Sequence, residues 1–356
     1  MVGRLADIKD SRKGDGALID RFGRNATDLR VSLTDRCNLR CQYCMPEEGL
    51  PLLPLSQVLS DDEVIRLIRL GVERLGITKV RFTGGEPLLR KGLEDIVAAT
   101  AQFANDSGRP DISLTTNGLG LSHRADALRK AGVNRVNISL DSASREEYLA
   151  LTRRDRFEHV LEGITAAVNV GFTPVKINAV VMPGVNDHSV GQLLSLALRL
   201  GATLRFIEYM PIGPQGEWKR GEVITSDALI DILRANFVLE PEPKSKRGSS
   251  PASLWNVSAG SFNGDSFPAG KVGFISSVSR PFCAECDRTR LTAEGAIRSC
   301  LFSDDETDLR SLLRGGANDD EVVHAWQQAM WGKPLGHGIN DYGFVQPERT
   351  MSSIGG

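Results

Sequence analysis

The sequence predicts an α/β protein built on a partial (βα)6, TIM-like barrel. Two observations carry the prediction: six short β-branched runs alternate with amphipathic stretches between about residues 28 and 210, and each run ends in chemically pointed residues. Eight units close a barrel; six leave it open, with its site on the face where the strands end.

The predicted strands are Leu29–Leu33, Lys79–Thr83, Ile112–Thr116, Arg135–Leu140, Val175–Val181 and Leu204–Tyr209. The clearest helices between them are Ser60–Leu75 and Asp187–Leu200. In the first, Ser60 with Glu63 three residues on reads as a capping box, and Val64, Leu67, Ile68 and Leu75 form one apolar face for the sheet. The strand ends run into the Cys37–Cys44 loop, Gly84-Gly85-Glu86-Pro87, Thr115-Thr116-Asn117-Gly118, Ser139-Leu140-Asp141 and Glu208-Tyr209-Met210, with Lys176 inside its strand. After Ile212 the pattern changes to a helix over Thr225–Asn236 capped by Thr225 or Ser226. A Pro-, Gly- and Ser-rich stretch, Pro241–Gly270, then reads as a linker or excursion. A strand over Val272–Val278 and short helices near 308–314 and 319–331 complete the chain. The division expected is a tail over 1–17, a barrel over 18–222 and a C-terminal region over 223–356.

Composition sets the outer limits. The 356 residues are 41% hydrophobic and 25% charged, which excludes disordered and fibrous classes. With Lys plus Arg at 43 and Asp plus Glu at 45, the net charge is −2, so no global basic field points to nucleic acid or membrane. An anionic ligand must therefore be held by a local cluster. Neither a signal peptide nor an apolar stretch of spanning length is seen, and the cytoplasm is the expected location.

All six cysteines fall into two tight groups, Cys37/Cys41/Cys44 and Cys283/Cys286/Cys300. The first, C-x3-C-x2-C, offers three thiolates on one loop. They suit three irons of a cubane whose fourth iron stays open, whereas a structural zinc site wants four ligands; zinc and inert thiols remain the alternatives. The second, C-x2-C-x13-C, again supplies three, and His324 or His337 would complete a zinc site by folding back. Arg288 and Arg290 beside it read as ligands for an anion, against the plainer reading of solvated arginines. Arg30, Arg81 and Lys176 are unusual on strands, because buried cations need partners; structural salt bridges are the plainer reading there.

The cysteine loop with Tyr43 before its last ligand, and the Gly84–Pro87 segment after the second strand, resemble the cluster and methionine-binding motifs of the radical S-adenosylmethionine (SAM) superfamily. The two glycines allow close backbone approach to a ligand, and Glu86 and Pro87 fix the turn. The resemblance narrows further with L-I-D-x-F-G-R near the N-terminus, R-F-I-E-Y-M-P, F-C-x-x-C-x-R-x-R-L and the terminal Ile354-Gly355-Gly356. Together these resemble the GTP 3′,8-cyclase family, the molybdenum cofactor biosynthesis A proteins, from about Leu18 onward. Asp287 stands where that family often has Asn, and Pro241–Gly270 is longer than the family usually needs.

The resemblance implies a radical SAM barrel with a C-terminal extension carrying a second cluster, and a lyase that cyclises GTP, the first step of molybdenum cofactor biosynthesis. The cofactors it implies are SAM and two [4Fe–4S] clusters, held by Cys37, Cys41 and Cys44 and by Cys283, Cys286 and Cys300. Its chemistry would be abstraction of the GTP 3′ hydrogen by a 5′-deoxyadenosyl radical, followed by C3′–C8 bond formation. By position, Tyr43, Gly85, Ser139 and Met210 would line the SAM site, and Arg30, Arg81, Thr115, Lys176, Arg288 and Arg290 would hold GTP. Gly355-Gly356 would enter the active site. The partners implied are a flavodoxin- or ferredoxin-like electron donor, cyclic pyranopterin monophosphate synthase as recipient of the product, and a second copy in a homodimer. A peptide-modifying radical enzyme and a non-catalytic zinc-stabilised binding protein are the competing readings.

Overall fold

The computed structural model describes residues 16–216, 218–243 and 248–354. Its first half alternates as the sequence predicts: β1 (Asp28–Ser32), α1 (Asp61–Leu75), β2 (Lys79–Thr83), α2 (Leu93–Thr100), β3 (Asp111–Thr116), α3 (Leu121–Ala131), β4 (Arg135–Ser139), α4 (Arg145–Thr152), α5 (Phe157–Asn169), β5 (Val175–Val181), α6 (Val190–Arg199) and β6 (Thr203–Glu208). Strands β1 to β6 pair in parallel and in chain order. The Ser60 capping box forms as expected, with Ser60 Oγ accepting from Glu63 N and Glu63 Oε2 accepting from Ser60 N.

Alternation along the strands sorts side chains onto two faces. On β5, Val175, Ile177, Ala179 and Val181 are buried against the helices, while Lys176, Asn178 and Val180 face the barrel interior. The same phase turns Arg30 and Arg81 inward while Leu29, Val31, Val80 and Phe82 enter the outer core. The apolar core thus lies between sheet and helices, and the interior is left polar.

The C-terminal region contributes α7 (Ser226–Arg234), β7 (Leu239–Pro241), β8 (Ser253–Val257), β9 (Gly260–Phe262), β10 (Asp265–Phe267), β11 (Gly270–Ile275), β12 (Arg288–Leu291), β13 (Ala296–Arg298), β14 (Thr307–Asp308), α8 (Leu309–Arg314), α9 (Asp319–Trp331) and α10 (Met351–Ile354). Two of these strands extend the barrel sheet in parallel, β11 on β6 and β12 on β1. The chain between them, residues 276–287, therefore runs from one open edge of the barrel to the other and carries Cys283 and Cys286 with it.

Pro241–Gly270 is not a linker. Its described part pairs β8 antiparallel with β11 and folds β9 and β10 into a hairpin. Asn263 and Gly264, at φ of 51° and 90°, supply the two positive-φ positions of a primed hairpin turn, and Phe262 stacks on Phe237 while Phe267 packs on it at a tilt. The Gly and Ser content belongs to turns between short strands. The helix expected over Asp187–Leu200 begins as a short 3₁₀ turn at Asp187–Ser189 before α6, and Thr225 rather than Ser226 caps α7 through its bond from Ala228 N.

Trp326 on α9 seats the far end of this arrangement. It is fully buried, donates from Nε1 to Thr289 Oγ1 of β12 at 3.0 Å, and lies against Gly71 of α1, where a larger residue would press on it. Trp326→Ala should cost about 3–5 kcal/mol. The urea midpoint should fall at unchanged slope, and an unchanged midpoint would contradict the packing.

Candidate functional site

The first cysteine loop leaves β1 and lies under the turn that follows β2. Gly85 N donates to Thr34 O and Glu86 N to Arg36 O, both at 2.7 Å, and a methyl group on Gly85 would overlap the Arg36 carbonyl oxygen. The Glu86 carboxylate turns inward, 1% exposed, and accepts from Thr116 Oγ1 and Asn117 N at 2.7 Å and from Leu88 N at 2.9 Å. It therefore ties the loops after β2 and β3 together. Asn117 Nδ2 in turn donates to Asn38 Oδ1 at 2.7 Å and comes within 3.9 Å of Cys37 Sγ. Tyr43 donates to Asp141 Oδ2 at 3.0 Å, and Asp141 also accepts from Val180 N, so the carboxylate after β4 positions the tyrosine. Ser139, half-buried, ends β4 opposite Asn178.

Burial pushes the thiols of Cys37, Cys41 and Cys44 up, Cys44 to about 12, and nearby Asp141 adds to the rise of Cys41 and Cys44. Such thiols become thiolates when a metal takes the proton's place. Ser352 of α10 bonds to Cys44, so the last described turn of the chain reaches the first cysteine loop. Gly355 and Gly356 lie outside the described residues.

The second constellation surrounds one cavity. Arg30, Arg81, Thr115, Met210, Arg288 and Arg290 all line it, together with Cys283, Cys286 and Cys300. Lys176 lies two residues from the lining Asn178, on the same face of β5. Burial, then Arg205, Arg135 and Arg81, push its pKa down to about 7. Arg30 pairs in register with Arg81 on one side and Arg290 on the other, placing three guanidinium-bearing residues in one row. Asp28 stands among them, 3.7 Å from Arg81, its pKa lowered because Arg81, Arg30, Arg288 and Lys79 outweigh burial. Burial and the surrounding guanidiniums push Arg30 well below its ordinary range. The Nε groups of Arg30, Arg81 and Arg288 are buried and without a hydrogen-bond partner. The guanidinium-bearing residues that line the cavity suit an anion there.

Sequence reasoning missed Arg205. Its Nη2 donates to Asn137 Oδ1 at 2.6 Å and its Nε to Asn178 Oδ1 at 2.9 Å, so the guanidinium is held at the cavity wall. It sits between apolar Leu204 and Phe206, the same signal that singled out Arg30 and Arg81. The Asp20–Arg24 segment also has a defined task. Arg24 bonds Asp20 Oδ2 at 2.6 Å and reaches across to Cys283 O at 2.7 Å, fastening the N-terminal segment to the second cysteine loop.

All six cysteines are free thiols. Within each loop they are close enough to influence one another electrostatically. Three thiols on one loop suit a cluster in which each takes a separate iron. A zinc site completed by histidine is not formed. His337 donates from Nε2 to Ser277 O and accepts Ile339 N at Nδ1, and His324 is exposed beside Gln328.

Comparison with known proteins agrees with this geometry. Residues 31–197 match the Radical SAM superfamily and residues 202–339 the Molybdenum Cofactor Synthesis C family. The GTP 3′,8-cyclase of Corynebacterium glutamicum strain ATCC 13032 is 57% identical over 344 residues, covering 96% of this chain and 90% of that protein. The Mycobacterium marinum GTP 3′,8-cyclase is 56% identical over 349 residues, covering 98% and 95%. In fold, the structure of Streptococcus suis SuiB bound to S-adenosylmethionine is similar at a TM-score of 0.58 and 14% identity, covering 89% of this chain and 66% of SuiB.

The close fit at Gly85 generates a test. Gly85→Ala should displace the cysteine loop, lower the iron content and weaken SAM binding by about tenfold or more, roughly 1.4 kcal/mol. Iron analysis and equilibrium dialysis read the effect, and wild-type values in both would refute the contact. With near-full-length identity to its cyclases and both family domains in place, the chain belongs to the GTP 3′,8-cyclase family of radical SAM enzymes.

Proposed function

We propose that the arginine-lined cavity holds GTP with its triphosphate toward Arg30, Arg81, Arg288 and Arg290 and its purine toward the second cluster. The chain converts GTP to (8S)-3′,8-cyclo-7,8-dihydroguanosine 5′-triphosphate, the first step of molybdenum cofactor biosynthesis, using SAM and two [4Fe–4S] clusters. When bound, these groups would supply the 5′-deoxyadenosyl radical that takes the 3′ hydrogen, and after C3′ joins C8 one further electron and a proton would complete the dihydroguanosine. Cys37, Cys41 and Cys44 would hold the first cluster, and Cys283, Cys286 and Cys300 the second.

The observation that carries the placement is that four arginines line one cavity together with the cysteines of the second loop. A triphosphate brings about four negative charges, and forked guanidinium contacts fix its orientation. Thr115 and Lys176 would add a hydroxyl and an ammonium. Tyr43, Gly85, Ser139 and Met210 would line the SAM side, Met210 being the one of these that also borders the cavity. Holding both molecules in one water-poor interior is the chain's main contribution to rate.

In this reading the barrel spans residues 18–222 after a tail over 1–17, and residues 223–356 form the auxiliary region, with Gly355-Gly356 completing the site. A small flavodoxin- or ferredoxin-like protein donates electrons, the product passes to cyclic pyranopterin monophosphate synthase, and the enzyme works as a homodimer in the cytoplasm. Among the described residues no helix is long and apolar enough to cross a membrane.

Anaerobic turnover of the reconstituted protein with SAM, dithionite and GTP deuterated at C3′ tests the placement. Deuterium should appear in 5′-deoxyadenosine, and replacing Cys283, Cys286 and Cys300 by Ser should leave cleavage of SAM but no cyclised nucleotide. Cyclised product from that triple variant would overturn the second-cluster role.

Lys176 supplies a second test. With its pKa at about 7 in the free protein, it is mostly neutral at pH 8, and a bound triphosphate raises that pKa. Binding then takes up protons, and affinity falls as pH rises from about 7 through the higher pKa of the complex. Calorimetry at pH 8 in two buffers of different ionisation enthalpy should show net proton uptake that Lys176→Met removes. Zero uptake by the wild type would place Lys176 away from the phosphates.

A further inference from the structure

Lys333 follows α9, lies in no helix or strand, and is only 2% exposed. Its ammonium donates to Arg288 O at 2.8 Å, to Cys286 O at 3.1 Å and to Cys286 Sγ at 3.4 Å. Among the described residues no carboxylate pairs with it. A buried ammonium whose partners are two carbonyls and one sulfur lacks a counter-charge, unless that sulfur is a thiolate. The backbone atoms it grips are those of Cys286 and Arg288, the cluster ligand and the arginine facing the cavity.

We propose that Lys333 is a positioning residue of the second cluster: it fixes the Cys286–Arg288 segment and, by its charged hydrogen bond to the Cys286 sulfur, raises the reduction potential of the cluster bound there. The inference rests on Cys283, Cys286 and Cys300 being that cluster's ligands. Its physical basis is that reduction adds negative charge to the cluster, and a cation or N–H donor at a ligand sulfur stabilises the reduced form more than the oxidised one.

The test is a redox titration of the fully reconstituted holoenzyme followed by electron paramagnetic resonance. The second-cluster signal is recognised by its change when GTP is added. Three variants are compared with the wild type: Lys333→Arg keeps charge and donor, Lys333→Gln keeps a neutral donor, and Lys333→Met keeps neither. The expected order of second-cluster potentials is wild type and Arg highest, then Gln, then Met. The first-cluster potential should stay fixed. At a set potential the reduced-to-oxidised ratio should fall about tenfold from wild type to Met, equivalent to about 59 mV for one electron.

A merely structural role would lower the melting temperature and iron content without moving the potential of the clusters that do form. Should Lys333→Met load no second cluster, the Gln-to-Arg comparison decides. Equal potentials in every variant that loads the cluster overturn the proposal, as does loss of the cluster from all three, Arg included. A wild type with no GTP-sensitive signal overturns the ligand assignment instead, so the two failures are told apart.

Discussion

Arg290, Arg30 and Arg81 occupy one register row across three neighbouring strands, and the architecture follows from that crowding. Two unit charges about 5 Å apart repel by about 3 kcal/mol at an effective dielectric of about 20, and like charges directly opposite in a sheet destabilise it. Asp28 offsets part of this, and buried Nε groups remain to be satisfied. The row persists because apolar residues of alternate phase, Leu29, Val31, Val80, Phe82 and Leu291, anchor the same strands in the outer core. A stable exterior therefore holds a crowded, cationic interior.

The second consequence concerns the two cysteine loops. Each is seated by different means: the first by backbone bonds from the Gly85–Glu86 turn and by Ser352, the second by Arg24 and Lys333. Arg40 bonds Cys37 O and Leu39 O within the first loop, and Lys333 bonds Cys286 in the second. Residues 276–287 cross from the β6 side to the β1 side and bring Cys283 and Cys286 to the cavity lined by Arg30, Arg81, Arg288 and Arg290.

Much of this was legible in the sequence. Strand alternation placed the six barrel strands to within a residue or so, since one face is uniformly apolar and a slip would bury Arg30, Arg81 or Lys176 in the outer core. The cysteine spacing, the glycine pair and the arginines beside Cys286 pointed to the site. Arg205 carried the same signal and was passed over. Lys333 was out of reach, because its contacts lie 45 and 47 positions away and depend on the path of a segment with no regular structure. The hairpin within Pro241–Gly270 was hidden by composition, though Asn263-Gly264 is a hairpin turn signal lying between Phe262 and Phe267. Turn-rich content measures how often a chain reverses, and short strands reverse often.

The pairing of β12 with β1 also sets a timetable for biosynthesis. Arg30 meets its partner Arg290 only after the intervening chain has been made. At about 5–20 residues per second this leaves the outer edge of β1 uncovered for roughly 10–50 seconds. An open apolar strand edge held that long invites pairing with another nascent chain. Asp28 and Arg30 put charge on that edge, and inward-pointing charge is among the devices that blunt such pairing. The arginine proposed to hold the nucleotide in the finished enzyme thus also shields the unfinished one from its neighbours.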